Sequence, residues 1–154
     1  MISKCTYRAE IREALIRYGC ALDLSDHESA FIKLWSALEL LTGSEGRHDD
    51  VVRRCSFLCD DVEIYRLILQ QLRRRRNEIV HSSLESRQTS QLLSQLKRFV
   101  ETLIAFHIRN SIHFKNLTEA AQFLDLPAEP DKLKNRISQY RRALRYRIKV
   151  HKGS

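Results

Sequence analysis

Proline is absent from the first 126 residues of this 154-residue chain; its two prolines stand at 127 and 130, and glycine occurs only four times. Proline removes a backbone donor and collides with the preceding turn, so a long stretch without it leaves helices free to run. The apolar spacing uses that freedom. Tyr7, Ile11, Ala14, Leu15, Tyr18 and Leu22 share one side of a helical wheel, and Phe31, Leu34, Trp35, Leu38 and Leu41 form a wide stripe on the next. No segment shows the alternation of a strand, and no internal repeat is present. The expected fold class is all-α.

The spacing predicts helices over 5–22 and from Ser25 or Asp26, as N-cap, to a stop at Gly43. The segment GSEGRHDD is expected to be a loop, followed by a short third helix marked by Val51, Val52, Cys55, Leu58 and Cys59. A fourth helix starts at Asp60 or Asp61, with Glu63 three residues after Asp60 in a capping-box-like pattern. A polar link, SSLESRQTS, leads to a fifth helix through Leu92, Leu96, Phe99, Val100, Leu103 and Ile108. His107 beside that stripe is expected to be a satisfied core or boundary histidine. NLTEAAQFL gives a short helix capped by Asn116 or Thr118, and a proline-marked turn then precedes a strongly basic helix.

One domain is the prior for this length. With 43% hydrophobic and 30% charged residues the chain is too apolar to be disordered. Its net charge of +8 favours an anionic partner, nucleic acid before membrane. The opening residues carry charges every few positions, against a signal peptide, and no run approaches the ~18 apolar residues of a membrane span. Cysteines at 5, 20, 55 and 59 form no CxxC pair. A cytoplasmic protein without disulfides is expected. Cys55 and Cys59, at i and i+4 with His48 nearby, admit a zinc site, but small buried thiols account for them better, so neither metal nor cofactor is expected.

The segment LQQLRRRRNEIVHSSL, residues 69–84, raises the functional question. Tyr65, Ile68, Leu69 and Leu72 define the buried face of the fourth helix, and Arg76 falls within about 20° of Tyr65 on the same wheel. An inward arginine needs a partner, and Glu39, the carboxylate inside LWSALELL, is the expected one. Arg73 and Arg75 flank Arg76, while Arg74 points to the opposite side. His81 lies about 140° from Arg76 on a continuous helix. The two converge only if the helix breaks near Val80 and Ser82, or if a second copy contributes across a symmetry axis.

Arg76-Asn77-Glu78-Ile79-Val80-His81 fits the arginine–polar–x(3 to 5)–histidine signature of the HEPN superfamily, the higher eukaryote and prokaryote nucleotide-binding domains. FIKLWSALELLTG, VVRRCSFLCDD and RRNEIVHSS, in that order, resemble the HEPN domain of ApeA-like bacterial proteins. The resemblance covers about residues 10–114. It implies a four-to-five-helix bundle, taken over 1–115; the change of character near residue 116 makes 116–154 a basic helical extension packed on or extending from it. The resemblance further implies a homodimer with a composite site, and a metal-independent endoribonuclease acting in bacterial antiphage defence or toxin-like growth arrest. His81 would be the general acid/base, Arg76 the phosphate clamp and Asn77 an orienting group, with Glu39 fixing Arg76. Products would carry a 2′,3′-cyclic phosphate and a 5′-hydroxyl.

Arg74 and Arg75 also satisfy the spacing to His81, so they stand as supporting candidates. His81 is followed by Ser82-Ser83 and not by x-Tyr, which does not support a nucleotidyltransferase antitoxin that silences such a tyrosine. ApeA-like proteins are often longer, so a regulatory domain or an antitoxin of another kind remains among the expected partners. Arg73, Arg141, Arg142 and Arg145 are expected to contact RNA backbone, together with Lys132, Lys134, Arg136, Arg147 and Lys149. A structural reading, compatible with the first, has the stripe through Leu133, Ile137 and Leu144 dock the last helix on the bundle and leave a solvated charged face. The rival functions are a non-catalytic HEPN module that binds nucleic acid or a nucleotide, and a helical DNA-binding protein using residues 116–150.

Overall fold

The computed structural model describes residues 6–81, 89–109 and 112–152, of which 81 and 149–152 are described by backbone alone. Seven helices and no strand occur among them: α1 (Arg8–Leu22), α2 (His27–Thr42), α3 (His48–Ser56), α4 (Val62–His81), α5 (Thr89–Arg109), α6 (Leu117–Leu124) and α7 (Pro130–Lys152). Among the described residues no helix is long and apolar enough to cross a membrane. Cys5 and residues 82–88 of the expected polar link lie outside the described residues.

α2 is the axis of the bundle. Its apolar residues leave little polar face, and it touches α1, α3, α4, α5 and α6. Phe31, Leu34, Trp35, Ala37, Leu38 and Leu41 are all essentially inaccessible. The helix starts where Asp26 accepts from the Glu28 and Ser29 backbone N–H groups at 3.2 and 2.8 Å. It stops at Gly43, whose φ of +60° is the left-handed cap that glycine adopts without strain. A side chain there would also meet Ala121 Cβ of α6 at 3.3 Å. Asn116 caps α6 through the Glu119 N–H at 2.8 Å. Ala120, Ala121 and Leu124 then bury α6 in the same core, with Phe123 against Phe57, Phe106 and Phe114. α7 does not join them; its residues 134–148 are exposed throughout.

α3 begins earlier than its apolar residues suggested. Residues 48–50, expected in the loop, form its first turn, where Asp49 and Asp50 suit the positive end of the helix. The cap of α4 is Asp61, which accepts from the Ile64 N–H at 3.1 Å.

Arg54 in α3 is buried and joins three elements. Its Nε and Nη2 hold Asp125, just after α6, at 2.7 and 2.9 Å. Its Nη1 donates to the Thr42 and Gly43 carbonyls and to Ser44 Oγ, at 2.8, 3.0 and 3.1 Å. These carbonyls at the end of α2, which also accept from Ser44 Oγ and Arg47 Nη2, lack partners within the helix and are held by Arg54 from inside the bundle. Removing one member of such a buried pair strands the other. Arg54→Met is expected to cost about 3–5 kcal/mol in urea denaturation. Arg54→Lys is expected to recover little of it, because an ammonium cannot reproduce the planar fork.

His107 is a core residue, as its position beside the α5 stripe predicts. Its Nε2–H donates to the Leu41 carbonyl at 2.8 Å, so Nδ1 is the acceptor for the Tyr7 hydroxyl at 3.0 Å. Burial pushes its pKa from 6.5 down to about 4. The native state therefore holds the neutral ring while the unfolded chain takes up a proton below about pH 6.5. Stability from this site is complete above that pH and drains as pH falls toward 4, by about 3 kcal/mol in all. Urea midpoints measured between pH 7 and 5 should fall in the wild type and fall less in His107→Gln.

Candidate functional site

α4 carries the arginine run on one unbroken helix. Of the two routes to convergence, a helix break near Val80 and Ser82 or a second copy, the first finds no break at Val80, since α4 runs through it to His81, and Ser82 lies outside the described residues. The His81 side chain lies outside the described residues. On such a helix Arg76 and His81 stand about 140° apart, so one copy of α4 does not converge them.

The inward arginine is Arg75, not Arg76. Beyond Leu69 and Leu72, both at 0% exposure, the next buried residue of α4 is Arg75 at 6%. Its Nη2 donates to Glu28 Oε1 at 2.5 Å and to Thr89 Oγ1 at 3.0 Å, and its Nη1 to Glu78 Oε2 at 3.3 Å. Glu28 is in the first turn of α2 and Thr89 opens α5, so Arg75 ties α4 to two other helices. The wheel erred because it extrapolated the stripe of residues 65–72 in a straight line. At its C-terminal half α4 turns a face rotated by about 100° from Arg76 toward the acidic start of α2.

Glu39 is not the mate of Arg76. Its Oε1 accepts from Trp35 Nε1 at 3.1 Å and lies 2.9 Å from His48 Nδ1. The His48 nitrogen is off the direction of a hydrogen bond to that oxygen. Its ring stands edge-on to Trp35, with centroids 5.9 Å apart. Glu39 thus serves the α2–α3 contact and is withdrawn from the set that supports Arg76.

The remaining arginines divide by partner. Arg73 is paired with Asp49 at the start of α3, and Arg74 is exposed. Arg76 is half-buried, and its Nη1 donates to the neighbouring Asn77 Oδ1 at 3.3 Å. Arg141, Arg142 and Arg145 are exposed on α7. α7 begins beside Glu63 and Arg66 in the first turns of α4. Cys55 is buried, which pushes its thiol well up, and Cys59 Sγ lies 3.6 Å from the Cys55 carbonyl. Among the described residues no group of His, Cys, Asp and Glu is placed to hold a metal ion.

Glu28 and Thr89 were missed by sequence reasoning. Glu28 reads as an ordinary first-turn carboxylate and Thr89 as linker, and only the packing of three helices selects them. Compared with known protein families, curated proteins and solved structures, the chain matches none.

The division of roles is measurable. Arg75→Ala should lower unfolding free energy by about 3 kcal/mol by stranding Glu28. Arg76→Ala should stay within about 0.5 kcal/mol of wild type. The reverse order in urea titrations would return Arg76 to the interior.

Proposed function

We propose that the chain is a metal-independent endoribonuclease of the HEPN kind, working as a homodimer in bacterial antiphage defence or growth arrest. The observation that carries this reading is the state of Arg76. With Arg75 neutralised by Glu28, Arg76 is left half-exposed, beside exposed Arg74, with Asn77 Oδ1 on its guanidinium. A partly open arginine, oriented by a neighbour and borne on the helix that also carries His81, suits a phosphate ligand better than a structural one.

RNA brings its own nucleophile, so no metal-bound water is needed. In this reading a histidine takes the 2′-hydroxyl proton as oxygen attacks phosphorus, and the 5′-oxygen leaves with a proton. Arg76 neutralises charge developing on the non-bridging oxygens, and Asn77 fixes the fork. Two copies supply the second histidine and remove the angular conflict between Arg76 and His81. Arg141, Arg142 and Arg145 add backbone contacts that weaken with salt.

Cleavage of a labelled oligonucleotide is expected to persist in EDTA. His81→Ala and Arg76→Ala should each slow it by at least about 100-fold, while Glu39→Gln leaves it within a factor of a few. Salt-dependent binding with no cleavage by the wild type would replace the nuclease with a binding module.

A further inference from the structure

We propose that α7 is an exchange arm, seated in the groove between α4 and α5 of a second copy of this chain. Two unpartnered surfaces motivate the pairing. The first is α7 itself, where Ile137, Tyr140, Leu144 and Ile148 are 49, 69, 61 and 47% exposed. With Leu133 they fall in an arc of about 80°. Leu133, Ile137, Tyr140 and Leu144 are spaced 4, 3 and 4 residues apart, which is the spacing of anchors on a helix lying in a groove. Basic residues border both edges of the stripe, Lys134, Arg141 and Arg145 on one side, Arg136 and Arg147 on the other.

The second surface is a groove of about 610 Å³ walled by Leu58, Ile64, Tyr65, Ile68 and Phe99, with Asp60 and Asp61 on its lip. Ile64 is 54% exposed there. An apolar stripe with basic edges meets an apolar groove with an acidic lip. Arg98 on the α5 wall directs the denser basic edge of the arm toward the aspartates.

The arm cannot serve its own groove. The joint before α7 is held by Asp125 on Arg53 and Arg54, by the Leu126 N–H on the Phe123 carbonyl at 3.1 Å, and by prolines 127 and 130. From this joint Lys132 and Arg136 look across a cleft at Val62, Glu63 and Arg66. The centre of that α4 face lies about 160° around the helix from the centre of the face of Ile64, Tyr65 and Ile68, so α7 leaves on the wrong side. Other occupants satisfy half of the arm. Nucleic acid matches the charge and leaves the stripe wet. Two α7 helices side by side would cover the stripe but oppose arginine to arginine along both edges. A lipid surface matches the charge but suits a wider apolar face.

The test is sedimentation of the full chain in the tens of micromolar. The wild type is expected as a dimer. Ile137→Asp with Leu144→Asp, and separately Ile64→Asp, should each give a monomer with unchanged helical circular dichroism. An equimolar mixture of the two variants should regain a dimer through its one intact arm–groove contact. A monomeric wild type, or a dimer untouched by either variant, overturns the proposal. Loss of the dimer on the arm variant alone points to paired α7 helices and overturns it equally. So does a monomer that is pelleted by anionic vesicles or captured by RNA through the stripe residues. The outcome is separate from cleavage: a dimer of this kind that cuts nothing removes the nuclease and keeps the arm, and a dimeric nuclease untouched by either variant does the reverse.

Discussion

One guanidinium decides how the parts of this bundle meet. Arg54 satisfies the end of α2, holds the residue after α6 with a two-pronged ion pair, and is itself a residue of α3. Each of these elements is short of something the others supply. The last carbonyls of α2 need donors, Asp125 needs a counter-charge, and an arginine at 6% exposure needs both. Because Asp125 also starts the joint to α7, the direction of the basic arm follows from the same contact. Gly43 belongs to this arrangement, since its left-handed turn presents its carbonyl to Arg54 while its missing side chain lets α6 approach.

The same rule, that an inward charge must be met, sorts the arginine run of α4. Four consecutive arginines cover every direction around a helix, and the fold needs only one of them inside. Glu28 and Thr89 select Arg75. Asp49 takes Arg73 on the α3 side. What is left for a ligand is therefore decided by the carboxylates of other helices as much as by the run itself. Arg74 and Arg76 remain, and Asn77 holds the second of these.

The helices were readable because their signals are local. Asp26, Gly43 and Asn116 mark ends by hydrogen bonds to residues within a few positions, and the stripe of α2 needs no knowledge of its neighbours. His107 was readable as a core histidine because it borders an unbroken apolar face. The inward arginine was not, because Arg75 and Arg76 differ only by a rotation of about 100° and the direction of burial is set by a residue 47 positions away. Glu39 misled for a related reason: it is the carboxylate within an apolar run, but His48, hidden in an expected loop, reaches it first. Arg54 showed only as one of two adjacent arginines, and its five acceptors come from segments that no spacing rule connects.

α7 shows where a single copy stops explaining itself, with an apolar stripe uncovered and a groove unfilled on the far side of α4. The central functional claim concerns the other end of that helix, where Arg76 is left for a phosphate. Phosphorus NMR of a short RNA incubated with the protein in EDTA tests it most directly. The account predicts a 2′,3′-cyclic phosphate resonance that grows with wild type and is absent with Arg76→Ala. An unchanged spectrum, or products ending in 5′-phosphate, would contradict it.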